Sequence, residues 1–293
     1  MKKLIKKLWG GFENELDKKG VHAVTTVNGK IQYYVTKKKP LDRLKAEDVI
    51  KRRVWKHLIP RKTNVEQMSQ IKAQIDTNYE LHRDGTDMVG TLGGCVKIYT
   101  VGKMLLKAHP NLAKKWPNLV ETNYVGLTNQ HVVANDITKA EANLIRMPYA
   151  GKKKLFQSDG IKINAGGDKY DVAFVHATTD AAKTRLRQDF FNRVRGTQPP
   201  KVGRSVYKRG RTTGLTRGAC TMSSIIANVK YGDKTVRIRH AIGFSGMSRG
   251  GDSGSFIVDT ETGKPMALLF AGNTKITLGI SAQKIAKKFM IVF

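Results

Sequence analysis

Acidic residues are scarce in this chain. Asp and Glu total 23 against 53 Lys and Arg, a net charge of +30 over 293 residues. Cysteine is scarcer still: Cys95 and Cys220 are the whole complement. Two cysteines exclude the disulfide-dense scaffold of many secreted β-proteins, and they lack metal-ligand spacing. Far apart in sequence, they are expected as free buried thiols. The histidines are scattered too, so neither a metal site nor a small-molecule cofactor is expected. No apolar run reaches the roughly 20 residues that a membrane-crossing helix needs. Met1 to Leu16 has a basic start but no continuous apolar core and no small-residue cleavage site, so no secretory signal is expected. The chain is therefore read as cytoplasmic. Proline is rare at 8 and glycine frequent at 28, which suits a β-rich body with tight turns.

The positive charge is spread along the chain. Residues 1–63 hold 18 basic and 6 acidic side chains, and residues 201–249 hold 11 and 1. Such a field attracts polyanions, either nucleic acid or an anionic membrane surface, and it says nothing about fold. The first twenty residues show helical periodicity: Ile5, Leu8, Trp9, Phe12 and Leu16 share one stripe beside four lysines. That pattern fits a basic helix on a membrane surface or one docked on the protein's own body. Asn28-Gly29 joins two β-prone runs over residues 21–35 and predicts a hairpin. A charged helix is expected over Leu41 to His57. Residues 1–87 thus read as a small α+β module. From residue 88 short β-prone runs alternate with turn signals, which suggests barrels or sandwiches. A helical insertion is expected at 104–116, a connector at 178–200, and a C-terminal helix over 281–293.

Three stretches carry chemistry. Gly250-Gly251-Asp252-Ser253-Gly254-Ser255 sets a serine among glycines. A serine hydroxyl is a weak nucleophile that needs a base in reach and backbone N–H donors for the oxyanion, and glycines let the backbone supply them. Leu127 to Val133 places His131 at the end of an apolar strand, and Asp171 opens an apolar run 40 residues later. Asp168 is a rival for the same role. Ser253 follows Asp171 by 82 residues, which completes one of the recurrent orders of the His-Asp-Ser triad. Trp55, Tyr207 and Tyr231 lie near basic clusters in no nucleic-acid motif and read as core residues.

The GDSGS, TNQHVV and DVAFV stretches resemble the signature blocks of trypsin-like serine peptidases. KRGRTTG at 208–214 and ALLFAG at 267–272 resemble blocks of bacterial members and of a bacterial and plant group that includes the narrow-leaf type. The resemblance implies a mainly β chain of two six-stranded antiparallel barrels, over about 88–180 and 200–293, with the site in the cleft between them. It implies His131, Asp171 and Ser253 as triad and the N–H groups of Gly251 and Ser253 as oxyanion hole. Met247, Ser248, Phe270, Ala271 and Gly272 would contact substrate, with an apolar or small side chain before the scissile bond. Asp252 would pair with a basic side chain of the GRTTG block, Lys208 by position, with Arg209 and Arg211 as neighbours. The expected function is a serine endopeptidase acting on protein or peptide substrates. The alternative is a catalytically silent scaffold held to a polyanion by its basic surface.

Overall fold

The computed structural model describes residues 21–27, 30–35, 63–67, 72–73, 80–83, 89–98, 124–134, 142–149, 152–160, 170–180, 184 and 196–293. The helices expected at the N-terminus, at 41–57 and at 104–116 lie outside them, as do Asp168 and Trp55.

Strands β1 (Val21–Val27) and β2 (Lys30–Val35) pair across Asn28-Gly29 as an antiparallel hairpin. β3 (Thr63–Gln67) runs parallel to β2, and β4 (Lys72–Ala73) is a two-residue strand. β5 (Glu80–Arg83), β6 (Val89–Thr91), β7 (Gly94–Ile98) and β8 (Tyr124–Thr128) follow. A one-turn helix, α1 (Gln130–Val133), precedes β9 (Ala142–Tyr149), β10 (Lys152–Gly160) and β11 (Ala173–Ala177). The second half holds β12 (Ser205–Gly210), β13 (Gly214–Tyr231), β14 (Lys234–Ser245), β15 (Phe256–Asp259), β16 (Pro265–Gly272) and β17 (Ile276–Ser281). Helix α2 (Ala282–Phe289) and β18 (Ile291–Val292) complete it.

Two antiparallel barrels result. In the first, the order β7-β8-β11-β10-β9-β5-β6 returns to its start, because β6 and β7 are one stretch of chain interrupted by Leu92-Gly93. Counted that way the ring has six strands. In the second, β12-β15-β16-β17-β14-β13 closes through a further β12–β13 pairing, again with six. Closure gives every strand of each ring a neighbour on both sides. β5 pairs with β6 and β9, so the first barrel takes in strand residues before position 88. The β1–β2 hairpin joins the second barrel's sheet through β13.

The expected C-terminal helix is shorter than its periodicity suggests. Met290 takes a left-handed φ of 53° and caps α2, whose N-cap is Ser281. The chain beyond it becomes β18 and pairs with β7 of the first barrel. Phe289 packs edge-on against Tyr170 and Phe174, at 6.0 and 5.4 Å between ring centroids. The helix is thereby pinned beside Asp171. Among the described residues, no helix is long and apolar enough to cross a membrane.

Candidate active site

His131 lies on α1, immediately after strand β8, rather than within the strand. Its backbone N–H donates to Asp171 Oδ1 at 3.1 Å, and its ring Nδ1–H donates to Asp171 Oδ2 at 2.5 Å. With the proton held on Nδ1, the neutral ring carries its lone pair on Nε2, as a general base requires. Asn129 donates its side-chain amide to the Asp171 carbonyl at 2.7 Å, which locks the two segments together. Tyr231 donates its hydroxyl to Asp171 Oδ2 at 2.9 Å, and its ring lies 5.3 Å from that of His131. Burial, then the Asp171 charge, push the Tyr231 phenol well above its ordinary value, so it stays a donor. Asp171 is fully buried and His131 is 2% exposed. The buried carboxylate thus receives three hydrogen bonds, two of them from the histidine it orients.

Ser253 sits in a tight loop between β14 and β15. Gly251 takes φ +92° and Gly254 φ +95°, a region that L side chains rarely enter. A Cβ on Gly254 would also overlap the Thr91 carbonyl. Ser253 is buried, and its hydroxyl donates to the Phe270 carbonyl at 3.4 Å. The loop is tied to its own barrel by Gly254 N–H donating to Leu269 at 2.9 Å.

Thr91 on β6 of the first barrel hydrogen-bonds to this loop, and Gly93 packs closely against its Gly254 carbonyl. The Thr91 N–H donates to the Ser253 carbonyl at 2.8 Å and its hydroxyl to the Gly251 carbonyl at 2.8 Å. Its own carbonyl accepts from Thr128 Oγ1 at 2.7 Å, three residues before His131. Its hydroxyl also accepts from Arg211 N–H at 3.2 Å. The preceding carbonyl, that of Gly250, accepts from Thr212 Oγ1. Two successive peptides of the loop are therefore aimed by threonine hydroxyls from outside it. In a trans peptide N–H and C=O point opposite ways. Holding the Gly250 carbonyl against Thr212 turns the Gly251 N–H away from that turn.

Asp252 and Lys208 are brought together. Lys208 Nζ lies 2.9 Å from Asp252 Oδ2, and both side chains are fully buried. Alternation along β12 explains the lysine: Val206, Lys208 and Gly210 face inward while Ser205 and Arg209 face out. Burial pushes the Lys208 ammonium below the ordinary lysine range, and Asp252 opposes that shift. Asp252 also accepts from the N–H groups of Thr212, Thr213 and Arg249 and from Thr213 Oγ1. Arg209 is exposed and Arg211 is 9% exposed.

The residues expected around the substrate cluster on β16 and the start of the serine loop. Thr277 on β17 joins them: its hydroxyl accepts from Met247 N–H at 3.1 Å and shares a hydrogen bond with Ser248 Oγ at 2.8 Å. Phe270, Ala271 and Gly272 lie at the end of β16. Sequence reasoning missed Thr91, Thr212, Tyr231 and Thr277. Each is a lone hydroxyl whose partner is far along the chain, 160 residues away for Thr91 and Gly251. Among the described residues, no group of three or more His, Cys, Asp or Glu could hold a metal. Cys95 and Cys220 are free and buried.

No protein-family model matches the sequence, and no curated protein matches it. Solved structures resemble its fold. A Nocardiopsis protease has 14% sequence identity and a TM-score of 0.47 over 74% of this chain and 97% of its own. A Cellulomonas bogoriensis chymotrypsin has 16% identity and a TM-score of 0.44 over 75% and 97%. Thermobifida fusca protease A has 14% identity and a TM-score of 0.46 over 74% and 97%.

Proposed function

We propose that the chain is a serine endopeptidase that cleaves peptide bonds through an acyl-enzyme. The observation that carries this reading is the doubly bonded His131–Asp171 pair, docked through Thr91 onto the loop that bears Ser253. In the proposed reaction His131 Nε2 takes the Ser253 proton as Oγ attacks the substrate carbonyl. The N–H groups of Gly251 and Ser253 receive the oxyanion. One such donor is worth about 3 kcal/mol of transition-state stabilisation. His131 then returns the proton to the leaving amine, and water repeats the cycle to release the acid. Asp171 keeps its charge throughout and stabilises the imidazolium.

Lys208 supplies Asp252 with a cation from within the same barrel, so the serine loop needs no cut N-terminus to order it. The proposed preference is for a small or apolar side chain before the scissile bond, met by Met247, Ser248 and Thr277. Within the trypsin-like enzymes the GRTTG, GDSGS and LLFAG blocks point to the narrow-leaf-type group. A fluorophosphonate probe tests the reading. Wild type is expected to label, and Ser253→Ala and His131→Ala to show no label. Folded wild type that stays unlabelled favours the non-catalytic scaffold.

A further inference from the structure

Strand β16 outruns its neighbour. β15 starts at Phe256, opposite Leu268, while β16 continues to Gly272. On its other side β16 stays paired to the end, Ala271 with Leu278 and Gly272 with Thr277. The overhanging side begins beside the nucleophile, since the Ser253 hydroxyl reaches the Phe270 carbonyl. An overhang of this kind offers main-chain donors and acceptors to an extended peptide.

In this structure the edge is filled. β4 pairs with it antiparallel, Ala73 opposite Ala271 and Lys72 opposite Gly272. It also pairs in parallel with β13, Lys72 beside Lys230. The direction of β4 runs from Gly272 towards Phe270, and so towards Ser253. An extended peptide laid on this edge in the same direction would carry its next carbonyl towards Ser253. The hold is also weak by construction. The strand is two residues long, and it sets two lysines at neighbouring positions.

We propose that Lys72–Ala73 is a built-in occupant of the peptide-docking edge, which an incoming substrate strand must displace. The proposal rests on the peptidase reading and names the first peptide that this site meets. It separates two kinds of substrate. One that needs the edge competes with β4; one that reaches only Ser253 does not. If the edge is free about a tenth of the time, the apparent KM of an extended substrate rises about tenfold.

The test compares an alanine tetrapeptide p-nitroanilide with acetyl-alanine p-nitrophenyl ester on the full chain. A Lys72→Pro/Ala73→Pro variant cannot donate either N–H to a neighbouring strand. It is expected to lower KM for the tetrapeptide about tenfold and to leave the ester kinetics unchanged. An Ala73→Cys/Ala271→Cys variant adds a reversible lock, because directly opposed residues fall within disulfide reach. Compared with the same variant reduced, the oxidised form is expected to hydrolyse the ester equally but not the tetrapeptide, with reductant restoring tetrapeptide hydrolysis. Unchanged tetrapeptide KM in the proline variant, or failure of the cysteine pair to cross-link, overturns the proposal while the peptidase reading stands. Absence of fluorophosphonate labelling in wild type and both variants sinks the peptidase reading and this inference with it.

Discussion

Replacing Asp252 by alanine strands a buried ammonium. The carboxylate accepts five hydrogen bonds, from Lys208 Nζ, Thr212 N, Thr213 N, Thr213 Oγ1 and Arg249 N. Without it Lys208 keeps the Thr213 hydroxyl and the Gly214 carbonyl, 3.3 Å away, and no counter-charge in this cluster. Breaking a fully buried pair from one side costs about 3–5 kcal/mol. At about 4 kcal/mol the folding equilibrium falls on the order of a thousandfold. The reverse removal, Lys208→Met, leaves Asp252 with four donors and is expected to cost less, about 2 kcal/mol. The Asp252→Ala/Lys208→Met double variant is therefore expected to be more stable than Asp252→Ala alone, since it removes the stranded charge. Urea unfolding followed by circular dichroism reads all three variants. A double variant less stable than Asp252→Ala, or an Asp252→Ala cost below about 1 kcal/mol, would refute the reasoning. Fluorophosphonate labelling of Asp252→Ala is expected to drop to background, because Gly251 and Ser253 flank the lost anchor.

Thr91 is a positioning residue, and Thr91→Val is expected to lower kcat about tenfold with KM unchanged, less than the loss of an oxyanion donor itself. Thr91→Ser should restore the rate; a valine variant with unaltered kcat, or a change confined to KM, would remove Thr91 from that role. Three groups bind their protons more tightly in the folded chain: Tyr231 is raised well above 10.0, and burial lifts Cys95 to about 12 and Cys220 to about 11. The unfolded chain therefore deprotonates first, so stability is intact below the ordinary thiol value of 9.0 and declines as pH rises through that window towards 11 and 12. Urea midpoints at successive alkaline pH values should fall accordingly, and a flat profile would contradict the burial of these groups.

The sequence was most informative where a local pattern and a chemical requirement coincide. Glycines around Ser253, a histidine closing an apolar run and an acid opening one each follow from a short segment, and the Asn28-Gly29 hairpin is equally local. Lys208 came from the GRTTG block, not from alternation, because a lysine at an inward strand position contradicts the usual burial pattern. The hydroxyls of Thr91, Thr212, Tyr231 and Thr277 were invisible because barrel closure creates their roles. The C-terminal run kept its apolar spacing past Met290, so periodicity could not distinguish the end of α2 from the start of β18. The pairing of β4 was beyond reach for a similar reason: two residues carry no period.

The return of β18 to β7 bears on how the chain acquires its structure. Ile291 pairs with Ile98, so the first barrel takes a strand from beyond the second. Thr91 reaches the other way, from the first barrel to the Ser253 carbonyl. Neither barrel holds all its native hydrogen bonds until the other is in place. Contacts spanning so much sequence carry a large loop-closure cost before they return any stabilisation, which slows assembly. The same reciprocity makes the pair one cooperative unit. Amides in β7 and in the serine loop should then exchange with solvent through a shared opening, at a common free energy, rather than as two independent bodies.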